Sequence, residues 1–337
     1  MPKAVPHTHS SILFLANTYL REYGSPLDPT KVPNAGTVCF TPFFHVMSYC
    51  VNLLVNLVAG ARSSLLATHD ATLSPSLMLQ SCRALRPSVC NTVPWVVEGF
   101  AAMIQAGESH VATELARLHL LTYGGAALTE ECAQSLKARG VELQCTYGQT
   151  ELAGPVPYGE KGGHPSALRP LPGIEYELVS GPDDGPHEGE LVLLGCGSAM
   201  LGYVALPSGG QRKALSGSAR STHERYHTND RFTRTQLDGQ KGEWLLYLCR
   251  NDDLLVHTSG EMSNPLPTEA AMLGKAMGVV SAACMLGTNR PRSLLLVELF
   301  EGVESDNKAT RATLLWSRRW RRRTAVSRTT RRSSRTT

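Results

Sequence analysis

The regular alternation of short apolar runs with helix-patterned stretches over the first 146 residues constrains this chain most. Residues 36–43 read as a strand ending at Pro42, and residues 46–60 as a buried helix stopped by Gly60. A short strand at 63–67 precedes a helix at 74–85, with Ser74 as N-cap and Pro75 in the first helical position. Strands at 88–93, 119–123 and 141–146 then alternate with helices at 94–105 and 129–139, the last capped by Gly140. Strands and helices in this rhythm predict an α/β fold with a largely parallel sheet covered by helices. In such sheets ligands sit beyond the carboxyl ends of the strands. Two loops therefore matter at once: Tyr123-Gly124-Gly125-Ala126 and Tyr147-Gly148-Gln149-Thr150-Glu151.

The character changes near Pro155. Gly and Pro become dense over residues 159–173, and short strands are expected at 174–179, 190–194 and 243–249, a β-rich subdomain. Residues 208–221 are small, polar and basic and read as a surface insertion, and residues 251–300 as an incomplete C-terminal α/β stretch. The expected divisions are 1–155, 156–250, 251–300 and a basic tail at 301–337. With 337 residues, 42% of them hydrophobic, the chain has material for a large core. The net charge of +4 hides an asymmetry: nine arginines and no acid lie between Trp316 and Thr337, so the rest carries about −5. Only the tail has the charge to attract nucleic acid or an acidic membrane surface. Its predominance of Ser, Thr and Arg also fits out-of-frame sequence. The nine cysteines show no C-x-x-C pair, which predicts free, buried thiols and no zinc site. Residues 46–61, the longest apolar run, are interrupted by Ser48, Asn52 and Asn56 and are too short for a membrane span; with no signal peptide evident, a cytosolic chain is expected.

Each candidate segment has an ordinary reading beside a chemical one. Gly124, Gly125 and Ala126 make a tight strand-to-helix turn, or let a flat ring approach the backbone. Thr150 and Glu151 cap a helix, or serve a phosphate and a hard cation, the hydroxyl donating and the carboxylate coordinating. Tyr226-His227-Thr228-Asn229-Asp230 is an Asx turn, or offers a carboxylate to the two hydroxyls of a ribose. Arg250-Asn251-Asp252-Asp253 is a solvated linker, or an arginine followed by an acidic pair marking a domain border.

Taken in order, these segments resemble the adenylate-forming superfamily of acyl-CoA synthetases, luciferases and nonribosomal peptide synthetase adenylation domains. Pro2-Lys3-Ala4-Val5 resembles the end of that family's Gly-rich phosphate loop. Phe43-Phe44-His45-Val46 resembles its Pro-x-Phe-His segment, and Gly189-Glu190-Leu191 with Gly202-Tyr203 its Gly-Glu-Leu…Gly-Tyr strand pair. Gly260-Glu261-Met262-Ser263-Asn264-Pro265 and Pro267-Thr268-Glu269 are most similar to fungal synthetase-like carboxylate reductases. The likeness runs from Pro2 to about Glu269, fades towards Phe300, and leaves out the tail.

The resemblance implies a partial acetyl-CoA synthetase-like fold, truncated at both ends. It also implies ATP-dependent activation of a carboxylic acid as acyl-adenylate, with Mg2+, followed by transfer to coenzyme A or a phosphopantetheine thiol. Carried over, Gly124, Gly125 and Ala126 border the adenine, Tyr147 stacks near it, and Lys3 belongs to the phosphate loop. Thr150 meets the α-phosphate, Glu151 holds the magnesium, Asp230 holds the ribose with Arg250 beside it, Asp252 is the hinge, and His45 lies near the acyl carboxylate. No Asp or Glu occurs from Thr41 to Ser48, which points to an aryl or aliphatic acid rather than an amino acid. Carrier and reductase domains are the partners implied. The chain departs from the pattern in three ways. Only Pro2-Lys3 remains of the Gly-rich loop. The late Pro-x-x-x-x-Gly-Lys lysine has no counterpart, since Lys275 and Lys308 lack those neighbours. Asn229 and Cys249 stand where the family favours Gly. These departures leave an alternative, an inactive relative that at most binds adenine nucleotide.

Overall fold

Residues 89–92 (Val-Cys-Asn-Thr) and 120–124 (Leu-Leu-Thr-Tyr-Gly) are buried at every position, as strands covered on both faces must be. They are neighbouring inner strands, third and fourth in an eleven-stranded sheet, in a computed structural model. It describes residues 5–64, 74–126, 128–170, 173–181, 184–196, 225–237, 242–258, 262–276, 279–288 and 290–300. Outside these lie Lys3, residues 65–67 of an expected strand, the insertion at 208–221, Gly202-Tyr203, Gly260-Glu261 and the tail at 301–337. The described chain divides into two compact units, Met1–Leu248 and Cys249–Thr337.

In the first unit, β1 (Gly36–Cys39), β2 (Arg62–Ser64), β3 (Val89–Thr92), β4 (Leu120–Gly124) and β5 (Leu143–Gln149) are parallel, in the order β2-β1-β3-β4-β5. Helices α1 (His9–Leu27), α2 (Asn56–Ala59), α3 (Pro75–Leu85), α4 (Pro94–Gln105), α5 (Ser109–Leu115) and α6 (Glu130–Lys137) accompany them. The core joins Tyr19, Phe100, Tyr123, Leu121 and Leu136. The caps follow local chemistry: the Ser74 hydroxyl accepts from Leu77 N–H at the start of α3, where Pro75 has no N–H that needs an acceptor, and the Thr129 hydroxyl accepts from Cys132 N–H at α6. The helix expected at 46–60 is π-helical over Met47–Val55 before it continues as α2, and Gly60 ends it with φ 68°. Its asparagines fasten it to the sheet: Asn52 donates to the Ser64 carbonyl, and Asn56 to the Thr37 hydroxyl and the Arg62 carbonyl.

At residue 150 the pattern breaks. No helix follows β5; a 3-10 turn (Thr150–Leu152) sends the chain straight back as β6 (Gly154–Tyr158), antiparallel to β5. From there β7 (Ala167–Pro170), β8 (Glu175–Val179), β9 (Glu188–Leu194), β10 (Arg225–Thr235) and β11 (Trp244–Arg250) extend the sheet in the order β6-β7-β11-β10-β9-β8. The change of composition near Pro155 thus marks the passage from parallel to antiparallel pairing inside one sheet.

The second unit carries the hairpins β12 (Leu255–Val256)/β13 (Met262–Ser263) and β14 (Val280–Leu286)/β15 (Leu294–Leu299), with α7 (Leu266–Lys275) before β14. The Glu269 carboxylate accepts the Met285 N–H at 2.6 Å, tying α7 to β14. The nine cysteines are free; eight are buried, and Cys284 is exposed. Among the described residues no helix is long and apolar enough to cross a membrane.

Candidate nucleotide site

Two glycines set up the carboxyl ends of the central strands. A Cβ at Gly124 would lie 2.5 Å from the Thr146 carbonyl oxygen, so β4 and β5 meet closely only because that residue has no side chain. At Gly148 a Cβ would collide with the Gly154 carbonyl of β6. Beyond Gly124, Gly125 (φ 90°) and Ala126 are exposed at the end of β4.

Tyr147, Gln149, Thr150 and Glu151 lie along the end of β5 and the turn after it. The Tyr147 ring is flanked edge-on by Phe232 at 5.0 Å and lies 6.4 Å from Tyr247. Its hydroxyl donates to Asp230 Oδ2 at 2.5 Å. Burial, then the neighbouring Asp230 charge, push this phenol well above its ordinary range, so it remains a donor at neutral pH. Asp230 is 5% exposed. A buried carboxylate must be satisfied by donors, and the end of β5 supplies two.

Backbone geometry delivers Asp230. Strand β10 bulges against β9 between His227 and Arg231, and inside the bulge Asn229 takes φ 61°. Asn tolerates that conformation, so its departure from Gly is absorbed. Glu190 of β9 accepts the Asn229 N–H at 2.9 Å, which gives the Gly-Glu-Leu segment a structural task. The Thr228 hydroxyl donates to the Leu191 carbonyl and accepts the Asp230 N–H, and Arg231 is ion-paired with Asp184. Motifs some eighty residues apart thus meet: the end of β5 and the bulge of β10 share one buried carboxylate.

Thr150 is exposed and Glu151 half-buried on the turn. His7 reaches this turn from before α1, and its Nε2 lies 2.7 Å from the Thr150 carbonyl as donor. Burial lowers the His7 pKa, opposed by the Thr150 carbonyl and the Glu151 charge. His45 follows β1, and its Nδ1 accepts the Met47 N–H at 3.1 Å. Much of the ring meets solvent, but its packed part is desolvated enough to lower its pKa. Arg250 ends β11, and Asp252 sits in the 3-10 turn Asn251–Asp253; both belong to the second unit. Sequence reasoning passed over Gln149, Tyr226 and His7. The first is the open position of the Tyr-Gly-x-Thr-Glu pattern, Tyr226 opens the segment that ends at Asp230 but was given no role there, and His7 lies outside any motif.

Among the described residues no three His, Cys, Asp or Glu side chains group as a metal cage. Glu151 beside the Thr150 hydroxyl instead offers hard oxygen donors of the kind that share Mg2+ with substrate phosphates.

The family model described as "AMP-binding enzyme" matches residues 1–204, and one for the AMP-binding enzyme C-terminal domain matches residues 252–327. The second match enters the arginine-rich segment, so the tail expected to lie outside the family is matched as far as residue 327. Adenylate-forming reductase Nps9 of Serpula lacrymans var. lacrymans is 26% identical over 268 residues, covering 76% of this chain and 22% of that protein. Hispidin synthase of Neonothopanus nambi is 26% identical over 318 residues, covering 85% of this chain and 18% of that protein. This chain therefore spans about a fifth of the length of these curated relatives. O-succinylbenzoate coenzyme A synthetase from Bacillus subtilis, in complex with AMP, has a TM-score of 0.66 at 17% identity, covering 90% of this chain and 58% of that one. Its complex with ATP and magnesium ion gives 0.65. The fold is accordingly that of the acyl-CoA synthetase-like adenylation enzymes. With a family model over more than half of its residues, the chain belongs to the AMP-binding enzyme family.

Proposed function

We propose that this chain activates a carboxylic acid with ATP, as acyl-adenylate, and passes the acyl group to a thiol of coenzyme A or a phosphopantetheine carrier, as part of a larger enzyme. The observation that carries this reading is the meeting of the Tyr147–Glu151 segment with Asp230 around one buried carboxylate. The same segment pairs a carboxylate and a hydroxyl on the adjoining turn.

In this reading Asp230 accepts the ribose hydroxyls, and Tyr147 with the Gly124-Gly125-Ala126 turn borders the adenine. Thr150 donates to an α-phosphate oxygen, and Lys3 and Arg250 are the cations that the family resemblance assigns to the nucleotide. Glu151 holds Mg2+, which neutralises phosphate charge when bound. The substrate carboxylate oxygen attacks the α-phosphorus in line, a new P–O bond forms, and the bond to pyrophosphate breaks. The residues' contribution is positioning and charge complementarity, since the bonds made and broken are the substrates' own. The thiol sulfur then attacks the acyl carbon and AMP leaves. Asp252 is the hinge in this scheme, with 1–155, 156–250 and 251–300 as successive parts and a basic tail after them. His45 lies near the acid, which is aryl or aliphatic because no carboxylate occurs from Thr41 to Ser48 to hold an ammonium group.

Carboxylate-dependent pyrophosphate exchange tests this, with a panel of aryl, aliphatic and amino acids and Glu151→Ala as control. Exchange with aryl or aliphatic acids, abolished in the variant, is the expected result. Nucleotide binding without exchange for any acid points instead to an inactive family member.

A further inference from the structure

We infer that Gln149 is a positioning residue: it locks the Asp230 carboxylate in the orientation that grips the ribose and ties it to the Thr150-Glu151 turn. This rests on the proposed nucleotide reading and adds to it a residue that the motif leaves open.

The Gln149 side chain has a partner on each side of its amide. Its Nε2 lies 2.5 Å from Asp230 Oδ2, 2.7 Å from the Thr228 carbonyl and 3.1 Å from the Tyr147 hydroxyl. Its Oε1 accepts the Tyr226 hydroxyl at 2.8 Å. Chemistry fixes this orientation. A carbonyl and a carboxylate only accept, so the NH2 must face them, and turning the amide would set oxygen against oxygen twice. Tyr226 supplies the donor that the opposite end needs.

Two consequences follow. Oδ2 of Asp230 receives both the Tyr147 phenol and the Gln149 amide, which fixes the rotation of the carboxylate. Gln149 also bonds the backbone of the bulge through Thr228, so it holds the Asp230 side chain and the chain segment that presents it. Its own backbone is the residue immediately before Thr150, in extended conformation (φ −131°, ψ 157°) as the turn begins. One side chain thereby sets the ribose-gripping carboxylate against the phosphate-facing turn.

Calorimetric titration of the full chain with AMP and with 2′,3′-dideoxy-AMP tests the inference, because only AMP offers hydroxyls to Asp230. The parent chain is expected to prefer AMP. Gln149→Leu, close in size, is expected to cut that preference about tenfold while affinity for the dideoxy compound stays within about twofold. A parallel loss for both ligands, or an unchanged ratio in a folded variant, overturns the inference. If Gln149→Leu does not fold, Tyr226→Phe keeps the amide but removes the donor that orients it. There the preference should fall about threefold, and an unchanged ratio refutes the assignment. A parent chain that binds AMP without preferring it over the dideoxy compound removes the ribose role of Asp230 and this inference with it. One that binds neither removes the nucleotide reading itself.

Discussion

The two ends of the candidate site are built to opposite standards. Around Asp230 the polar side chains are buried or half-buried and matched donor to acceptor: Tyr147, Gln149, Thr228 and Tyr226 converge within 3.1 Å contacts. After β1, where the acid is proposed to bind, Phe43, Phe44 and Tyr49 are exposed, Phe44 at 89%, and His45 makes a local bond to its own loop. In the proposed reading the nucleotide, common to every turnover, meets a prearranged network that needs little ordering on binding. The surface proposed for the acid is left with apolar groups not committed to the core.

Asp230→Ala probes the contrast most forcefully. It strips the acceptor from a phenol and an amide in a buried setting and is expected to cost about 3 kcal/mol in urea unfolding, with loss of AMP binding in calorimetry. A cost near that of a surface substitution would erase the distinction between the two ends. Next comes the bulge. Asn229→Ala leaves in the left-handed conformation a residue without the short polar side chain that makes it tolerable and should destabilise by about 1 kcal/mol, whereas Asn229→Gly should stay within about 0.5 kcal/mol of the parent. Equal effects would mean that the φ of 61° is not what Asn229 provides. At the open end, Phe44→Ser should shift stability by less than about 0.5 kcal/mol, and a larger loss would show the ring to be structural.

The smallest expected effect is one of pH. Partial burial lowers the His45 pKa below 6.5 in the folded chain. The unfolded chain therefore takes up the proton first as pH falls. The His45 contribution to stability is complete above the unfolded value and declines as pH drops through it towards the folded one. His45→Gln should flatten that part of the stability-versus-pH curve. An unchanged curve would show that the ring is no more desolvated folded than unfolded.

Much of the parallel half was legible because its signals are local. Ser74 and Pro75 start α3, Thr129 starts α6, Gly60 stops α2, and the helix expected at 94–105 is α4. Helix α1 was missed: its register is blurred by Asn17, Thr18 and an internal Pro26. The π-helical winding of Met47–Val55 also escaped, since apolar spacing alone does not separate π from α. Strand β10 was harder still. Its charged and polar residues alternate with only a few apolar ones, and the bulge at Asn229 breaks the period. The convergence of Tyr147 with Asp230 came from the ordered motifs, which record a common ancestry. The bonds of Gln149 did not, because a pairing across about eighty residues leaves no periodic trace in the chain.

The immediate return of β5 as β6 carries a consequence for variation. Both arms of that hairpin are hydrogen-bonded into the sheet, and only four residues, Thr150 to Ala153, connect them. One inserted or deleted residue would displace Thr150 and Glu151 relative to Asp230, or force every side chain along one arm onto the opposite face. Natural and engineered diversity in substrate choice should therefore accumulate as changes of length and identity after β1, while the segment from Tyr147 to Gly154 keeps its span.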